Sequence, residues 1–220
     1  MATFKQSQIR PGVTKNRSNA IKVYVSSAVA ENDIIVATGM QGDFLSVEPA
    51  DNTNIAKCRG PFFVADYAAA AGEYTALAVP SKTITAKDTS AAFRTGDAVY
   101  LSTGGDVTLG AIPAATAEAA AFAAIVRVGR ITSIDASAGA YVLEPGMANG
   151  GPIVGRVTGD GASTVVVDGF LGELDGAPVI ATSAAGQSVV SAEIGTGASG
   201  KLTITASGAT SATFTYAIYA

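Results

Sequence analysis

Short, strand-like runs of apolar residues dominate the sequence from position 21 onward. In the first run, Ile21, Val23 and Val25 alternate with Lys, Tyr and Ser, which is the two-residue period of a strand with one buried face. Gly, Asn, Asp and Pro separate such runs at spacings of roughly 8 to 12 residues, which is typical of β-sandwiches and β-barrels. This repeated pattern predicts an all-β protein.

The strand pattern falls into two groups with a turn-rich stretch between them. The first group contains predicted strands at 21–25, 33–38, 44–48, 54–57, 61–66, 74–79, 82–86, 97–101, 106–109, 125–134 and 141–144. The second group contains predicted strands at 153–158, 164–167, 178–182, 188–194, 201–206 and 212–219. Between them, residues 145–152 include two prolines and three glycines, a composition that is typical of a linker.

We therefore predict four segments. They are an extended basic arm at 1–20, a β-barrel or β-sandwich-like domain at 21–145, a linker at 146–152, and a smaller antiparallel β-sandwich at 153–220. In the last two strands, the alternation places Leu202 and Ile204 on one face, and it places Phe214, Tyr216 and Ile218 on one face of their own strand.

The Ala-rich stretch 113–124 departs from the strand pattern. Its residues have high helix propensity and Pro113 suits a first-turn position, so a short helix is predicted, with an extended loop as the alternative. In the strand that follows, strict alternation predicts two opposite faces. One face carries Val126, Val128 and Arg130, and the other carries Arg127, Gly129 and Ile131.

Charge is distributed unevenly along the chain. The first 22 residues carry no acidic side chain and five basic ones, Lys5, Arg10, Lys15, Arg17 and Lys22. The whole chain has 14 basic and 18 acidic residues, a net charge of -4, so removing this +5 leaves -9 on the other 198 residues. A basic, turn-prone arm therefore precedes an acidic body, and the arm is predicted to have little structure when isolated.

The charge of the arm leaves three interpretations. Five cations can neutralise phosphates, but Phe4 is the only aromatic residue in the first 20 and the acidic body opposes a polyanion. An acidic protein surface is therefore favoured over nucleic acid, and a solvated basic tail is the remaining alternative. The longest apolar run is too short to span a bilayer, so no membrane partner is predicted.

Catalytic chemistry has little support in the sequence. The chain has no histidine and one cysteine, which excludes Ser-His-Asp and Cys-His catalysis, CxxC motifs and intramolecular disulfides. Cys58 lies between two basic residues that lower a thiol pKa when exposed, but a buried position is favoured. Paired carboxylates remain formally possible, although most acids lie in turns. We predict no enzymatic activity, no cofactor and no metal site.

Two loops resemble ligand-binding motifs. Residues 195–201, GTGASGK, match the first seven positions of a P-loop, but Leu202 occupies the eighth and a strand follows instead of a helix. A hairpin turn is therefore predicted there. Residues 51–54 resemble the start of a calcium loop, but Ala56 and Phe62 stand where Gly and Glu are expected, so a surface turn is predicted.

Four phrases lie within the region of roughly residues 20–145. They are AVAENDIIV at 28–36, GPFFVA at 60–65, TGDAVYL at 95–101 and VRVGRI at 126–131. In these phrases the chain resembles the head decoration, or capsid cement, proteins of tailed bacteriophages. The resemblance implies a protein that binds the outer surface of an assembled capsid, commonly as a trimer, and clamps neighbouring shell subunits together. No catalytic residues belong to that family.

The resemblance and the charge pattern lead to one main expectation and two alternatives. We expect a structural virion protein on the outer capsid surface, made in the host cytoplasm, whose partners are the major capsid protein and itself as a homotrimer. Residues 21–145 are the expected capsid-binding domain. The first alternative is a carbohydrate-binding or adhesive β-domain protein of a phage tail or fibre, although Trp is absent and most Tyr and Phe are expected in the core. A hydrolase with two carboxylates is the second.

Overall fold

A computed structural model describes residues 19–86, 95–109, 112–133, 139–145, 152–184, 186–196 and 198–219. These residues form an all-β protein, as predicted, and their strands are β1 (Ile21–Val25), β2 (Ile34–Gln41), β3 (Phe44–Pro49), β4 (Phe62–Ala65), β5 (Tyr74–Val79), β6 (Lys82–Ala86), β7 (Ala98–Leu101), β8 (Val107–Leu109), β9 (Thr116–Ala117), β10 (Arg127–Ser133), β11 (Gly139–Leu143), β12 (Ile153–Thr158), β13 (Thr164–Val167), β14 (Val179–Ser183), β15 (Val189–Ile194), β16 (Leu202–Ala206) and β17 (Thr213–Ile218). Short 3₁₀ turns occur at Ile55–Lys57, Thr103–Gly105 and Gly172–Leu174. Within these ranges, no helix is long and apolar enough to cross a membrane.

Strands β1 to β5 close into a barrel in the order β1-β3-β2-β4-β5, with β5 pairing back to β1. The β1–β3 pair is parallel and the other pairs are antiparallel. Val23 and Val25 of β1 are fully buried, as the alternation predicted, whereas Ile21 at the strand end is exposed. Because a five-stranded barrel is narrow, its interior is filled by small and branched side chains, among them Val47, Ala65, Leu77 and Ala78.

A second sheet, in the order β6-β11-β10-β7-β8, packs against one side of the barrel. Strand β2 lies between the two layers of apolar side chains. Ile35 packs into the barrel interior, while Ile34 and Val36 pack against residues of the second sheet. All three are fully buried, which explains why this strand reads as a continuous apolar run.

The C-terminal strands form two facing sheets, β14-β17-β12-β9 and β13-β16-β15. As predicted, β16 and β17 each turn one face to the core that the two sheets share. Every second side chain on these strands is buried, namely Leu202 and Ile204 on β16 and Phe214, Tyr216 and Ile218 on β17. Ile55 and Cys58, from the connection between β3 and β4, belong to the same core cluster. The predicted division into domains stays a prediction, and the arm at 1–18 and residues 146–151 of the linker lie outside the described residues.

The strand predicted at 54–57 is wrong. These residues form the 3₁₀ turn Ile55–Lys57, which begins after Asn54. The side-chain oxygen Oδ1 of Asn54 accepts a hydrogen bond from the backbone N–H of Ala56 at 3.0 Å. An Asn side chain that satisfies its own neighbouring backbone favours a turn over a strand.

The helix predicted for the Ala-rich stretch 113–124 is also wrong, because the stretch is extended along the C-terminal sheets. Thr116 and Ala117 form β9 and pair in parallel with β12. Beyond β9, the backbone N–H of Ala119 donates to Val166 O at 2.9 Å, and that of Phe122 donates to Asp168 O at 3.1 Å. Helix propensity is overridden by these hydrogen bonds and by the complete burial of the Phe122 side chain.

Candidate functional site

Of the five basic residues predicted to make the arm's contacts, only Lys22 lies within the described residues. Lys5, Arg10, Lys15 and Arg17 lie outside them. Lys22 lies on β1 and projects from the outer face of the barrel, where its Nζ atom is 4.9 Å from the centre of the Phe44 ring on β3. This distance is typical of a cation–π contact. The last basic residue of the predicted set is therefore part of an aromatic surface.

Three aromatic side chains, Tyr24, Phe44 and Tyr74, cluster on the outside of the barrel, and we call them the aromatic patch. Tyr24 lies opposite Tyr74 in the β1–β5 register, and their ring centres are 5.0 Å apart. The rings of Phe44 and Tyr74 meet edge to face at 5.3 Å. The Tyr74 side chain is 49 % exposed. The expectation that most Tyr and Phe lie in the core fails at these positions. The sequence contained a signal for this, because Tyr24 alternates with the buried Val23 and Val25 and therefore lies on the outer face of β1.

A cleft of about 610 Å³ lies between the second sheet and the start of β12. We call it the arginine cleft, because Arg59, Arg127 and Arg130 line it together with a single acidic residue, Glu144. The remaining lining is mostly apolar and consists of Cys58, Ala124, Ile125, Val126, Gly129, Pro152, Ile153 and Val154. None of the residues that line this cleft was among the predicted site residues.

A β-bulge in β10 places two of the arginines on the same side. Between Arg127 and Gly129 the pairing with β7 shifts by one residue, so that Arg127 lies opposite Tyr100 and Gly129 opposite Val99. Residues three apart face opposite sides of a regular strand, but the extra residue reverses the alternation. Arg127 and Arg130 are therefore both exposed and line the cleft. The predicted alternation, which opposed Arg130 to Arg127, is wrong for this reason.

The cleft walls are held by backbone hydrogen bonds. The N–H of Ile125 donates to Val154 O at 2.7 Å, which joins the cleft floor to β12. The N–H of Leu101 donates to Val126 O at 2.9 Å, and that of Glu144 donates to Val128 O at 2.7 Å. Because these bonds come from three different segments, the concave shape is fixed by the fold and not by side-chain conformation alone.

The charge of the cleft stands out against the acidic body. After the five basic residues of positions 1–22, nine of the 14 remain, and three of those nine line this cleft. Arg127 Nε donates to the carbonyl of Gly129 at 3.2 Å, which holds its guanidinium close to the strand. Arg130 Nε lies 3.7 Å from Glu144 Oε2. Three guanidinium groups against one carboxylate leave the lining net positive.

Cys58 is buried at the cleft floor, in agreement with the favoured interpretation. Its Sγ atom donates to Ile55 O at 3.6 Å, and burial raises the pKa of the thiol to about 12. Arg59 lowers that pKa by a smaller amount. A thiol that stays protonated at neutral pH is a poor nucleophile, so Cys58 serves as a core residue.

The two motif-like loops are turns, as predicted. Residues 195–201 connect the antiparallel strands β15 and β16, and Lys201 pairs with Asp168 at 3.2 Å. In the calcium-like stretch, Asp51 Oδ1 accepts hydrogen bonds from the backbone N–H and the hydroxyl of Thr53, at 2.8 and 2.7 Å. Among the described residues, no group of three or more Cys, Asp and Glu side chains has the arrangement of a metal site.

One carboxyl pair that the sequence could not identify comes together at the surface. The backbone N–H of Asp160 donates to Glu118 Oε2 at 3.1 Å. Burial raises the pKa of Glu118, while a hydrogen bond from the N–H of Ala162 lowers that of Asp160. Neither residue lines the arginine cleft, and the hydrolase hypothesis stays a prediction.

Comparison with known proteins identifies no relative. No protein-family model matches the chain, and no curated protein or solved structure is significantly similar to it. The function is therefore inferred from the residues of this chain.

Proposed function

We propose that the protein is a structural virion protein that binds the outer surface of an assembled phage capsid and cements neighbouring major capsid subunits. The phrases at 28–36, 60–65, 95–101 and 126–131, which resemble head decoration proteins, suggest the capsid as the partner, and the observation that supports this choice is the contrast between +5 in the first 22 residues and -9 over the remainder. A basic segment can cross the boundary between two subunits and pair with acidic groups on either side. Ordering the segment costs entropy, but repetition on a symmetric shell multiplies weak contacts.

The low charge of the body supports the same proposal. Charged residues make up 15 % of the chain, against about 25 % in a typical soluble protein. A surface of small uncharged groups has little charge repulsion to keep copies apart and suits close packing against other subunits. Assembly of the body as a homotrimer on the shell is part of the proposal.

Neutralising the arm is expected to weaken shell binding. In the variant Lys5→Gln, Arg10→Gln, Lys15→Gln and Arg17→Gln, four surface ion pairs worth about 0.5 kcal/mol each are lost, which is about thirtyfold in affinity. Co-sedimentation of the full-length variant with expanded capsids measures the change, and the affinity of the wild type is expected to fall with rising salt.

The matched control exchanges Lys for Arg and Arg for Lys at the same four positions and therefore keeps the charge. It is expected to bind capsids as the wild type does. Equal binding by the neutral variant, or by a chain that lacks residues 1–20, would show that the arm has no part in shell attachment. Failure of the wild-type protein to bind any capsid would remove the proposed function.

The aromatic patch favours a second candidate function, carbohydrate binding by a tail or fibre protein. Aromatic rings at a surface bind the apolar faces of sugar rings, and Tyr74 is exposed and supported by two further rings. On a glycan array, this candidate predicts a signal that Tyr74→Ala removes. Tyr219→Ala is the matched control, because Tyr219 is 46 % exposed and outside the patch. A wild-type protein that binds no glycan would exclude this function.

A further inference from the structure

We propose that the arginine cleft binds an acidic peptide segment of the capsid shell and that Arg127 and Arg130 hold its carboxylates. This inference rests on the proposed function and deepens it, since it gives the chemistry of the surface that the body recognises. It adds a second, independent contact to the one made by the arm.

The shape of the cleft suits a short stretch of peptide. Its volume of about 610 Å³ lies within the range of about 300 to 1,000 Å³ that is usual for ligand sites. Ile125, Val126 and Ile153 provide an apolar lining against which aliphatic parts of a peptide can pack. The backbone hydrogen bonds between this lining and its neighbours hold the site in shape, so little ordering is needed when a ligand binds.

The arginines match carboxylates in chemistry. A guanidinium group presents its N–H donors in a planar fork that binds both oxygens of a carboxylate at once. The bulge in β10 places Arg127 and Arg130 on the same wall of the cleft. A concave site lined with one sign of charge concentrates the electric field, so this cleft attracts acidic groups even though the body as a whole is acidic.

Glu144 shows how the cleft accepts a carboxylate. Its Oε2 atom lies 3.7 Å from Arg130 Nε, which is longer than the roughly 2.7 to 2.9 Å of a charge-assisted hydrogen bond. Arg130 has further N–H donors on its terminal nitrogens, and its side chain is 56 % exposed. A carboxylate from a partner can therefore approach Arg130 without displacing Glu144.

Acidic peptide is favoured over nucleic acid for two reasons. The body carries a net -9, which repels a long polyanion but has less effect on a few carboxylates. In addition, the described residues that line the cleft include no aromatic side chain on which a base could stack.

Binding of hexaglutamate tests the proposal. A fluorescein-labelled hexaglutamate peptide is titrated with the full-length protein at low salt, and its fluorescence anisotropy is measured. Arg127→Gln and Arg130→Gln are each expected to weaken binding by about tenfold, since each removes a charged hydrogen-bonding partner. Arg156→Gln is the matched control, because Arg156 lies on β12 but outside the cleft, and it is expected to change affinity by less than about twofold.

Three results would overturn the proposal. They are equal hexaglutamate binding by the wild type and the Arg127→Gln/Arg130→Gln variant, loss of binding only in Arg156→Gln, and tighter binding of a labelled oligonucleotide than of hexaglutamate. Capsid co-sedimentation of the double variant keeps the two proposals apart. Wild-type protein that binds hexaglutamate through these arginines but no capsid would refute the capsid function and the shell as the source of the peptide, while the recognition of acidic peptide by the cleft would stand. Undiminished capsid binding by the double variant would refute the role of the cleft on the shell.

Discussion

Gly129→Ala is expected to lower the free energy of unfolding by about 3 kcal/mol, an effect typical of overpacking in a buried site. A Cβ atom added at Gly129 would overlap the carbonyl oxygen of Val142 and lie 3.1 Å from Leu143 Cα. Both obstacles are backbone atoms of β11, which pairs directly with β10. Neither strand can move aside without breaking the hydrogen bonds that join them. Urea unfolding followed by circular dichroism measures the loss.

Gly39→Ala is the matched control for this substitution. Gly39 also follows a β-bulge, at the shift between Ala37 and Gly39 in the β2–β3 pairing, and neither glycine has a positive φ. A Cβ atom at Gly39 would meet nothing within 4 Å. Its change in stability is therefore expected to stay within about 0.5 kcal/mol. Similar effects of the two substitutions would contradict the steric explanation.

Phe122→Ala is expected to cost about 4 kcal/mol, as large-to-small substitutions of buried aromatic residues do. The Phe122 side chain is fully buried, and its ring stacks on that of Phe170 with centres 4.8 Å apart. Phe170 in turn meets Tyr216 edge to face at 6.1 Å. Removal of the first ring leaves a cavity in the core that both C-terminal sheets share. Thermal and urea unfolding measure the effect.

Ile112→Ala, directly before the Ala-rich stretch, provides the comparison for Phe122→Ala. The Ile112 side chain is 51 % exposed, so its truncation is expected to change stability by no more than about 0.5 kcal/mol. A Phe122→Ala protein as stable as the Ile112→Ala protein would mean that the stretch does not contribute to the C-terminal core.

The strands could be predicted from the sequence because two-residue alternation and turn residues act locally. β6, β12 and β13 have the predicted bounds, and the buried faces of β16 and β17 are the predicted ones. The helix predicted at 113–124 failed because Ala-rich propensity is worth a few tenths of a kcal/mol per residue. Burial of one phenylalanine contributes several times as much, and the C-terminal strands that share the core with Phe122 lie 30 or more residues further along the chain.

The candidate site was harder to predict, because it also depends on how the chain is arranged in the folded protein. Strict alternation separates Arg127 from Arg130, and only the bulge brings them together. The sequence did contain a signal, because Gly129 lies inside a predicted strand, and a glycine there often marks a bulge or a close backbone approach. Arg59 could not be associated with them, since the connection between β3 and β4 joins the cleft only in the folded chain.

The pairing of β1 has a mechanical consequence for a protein attached through its N-terminus. β1 is hydrogen-bonded to β3 on one side and to β5 on the other, and it closes the barrel. When tension on the preceding residues runs parallel to β1, it pulls the strand along its own axis. The hydrogen bonds on both sides are then strained together in shear, not opened one after another from an end. β1 is therefore expected to resist such a pull more strongly than a strand that can be peeled away from one end.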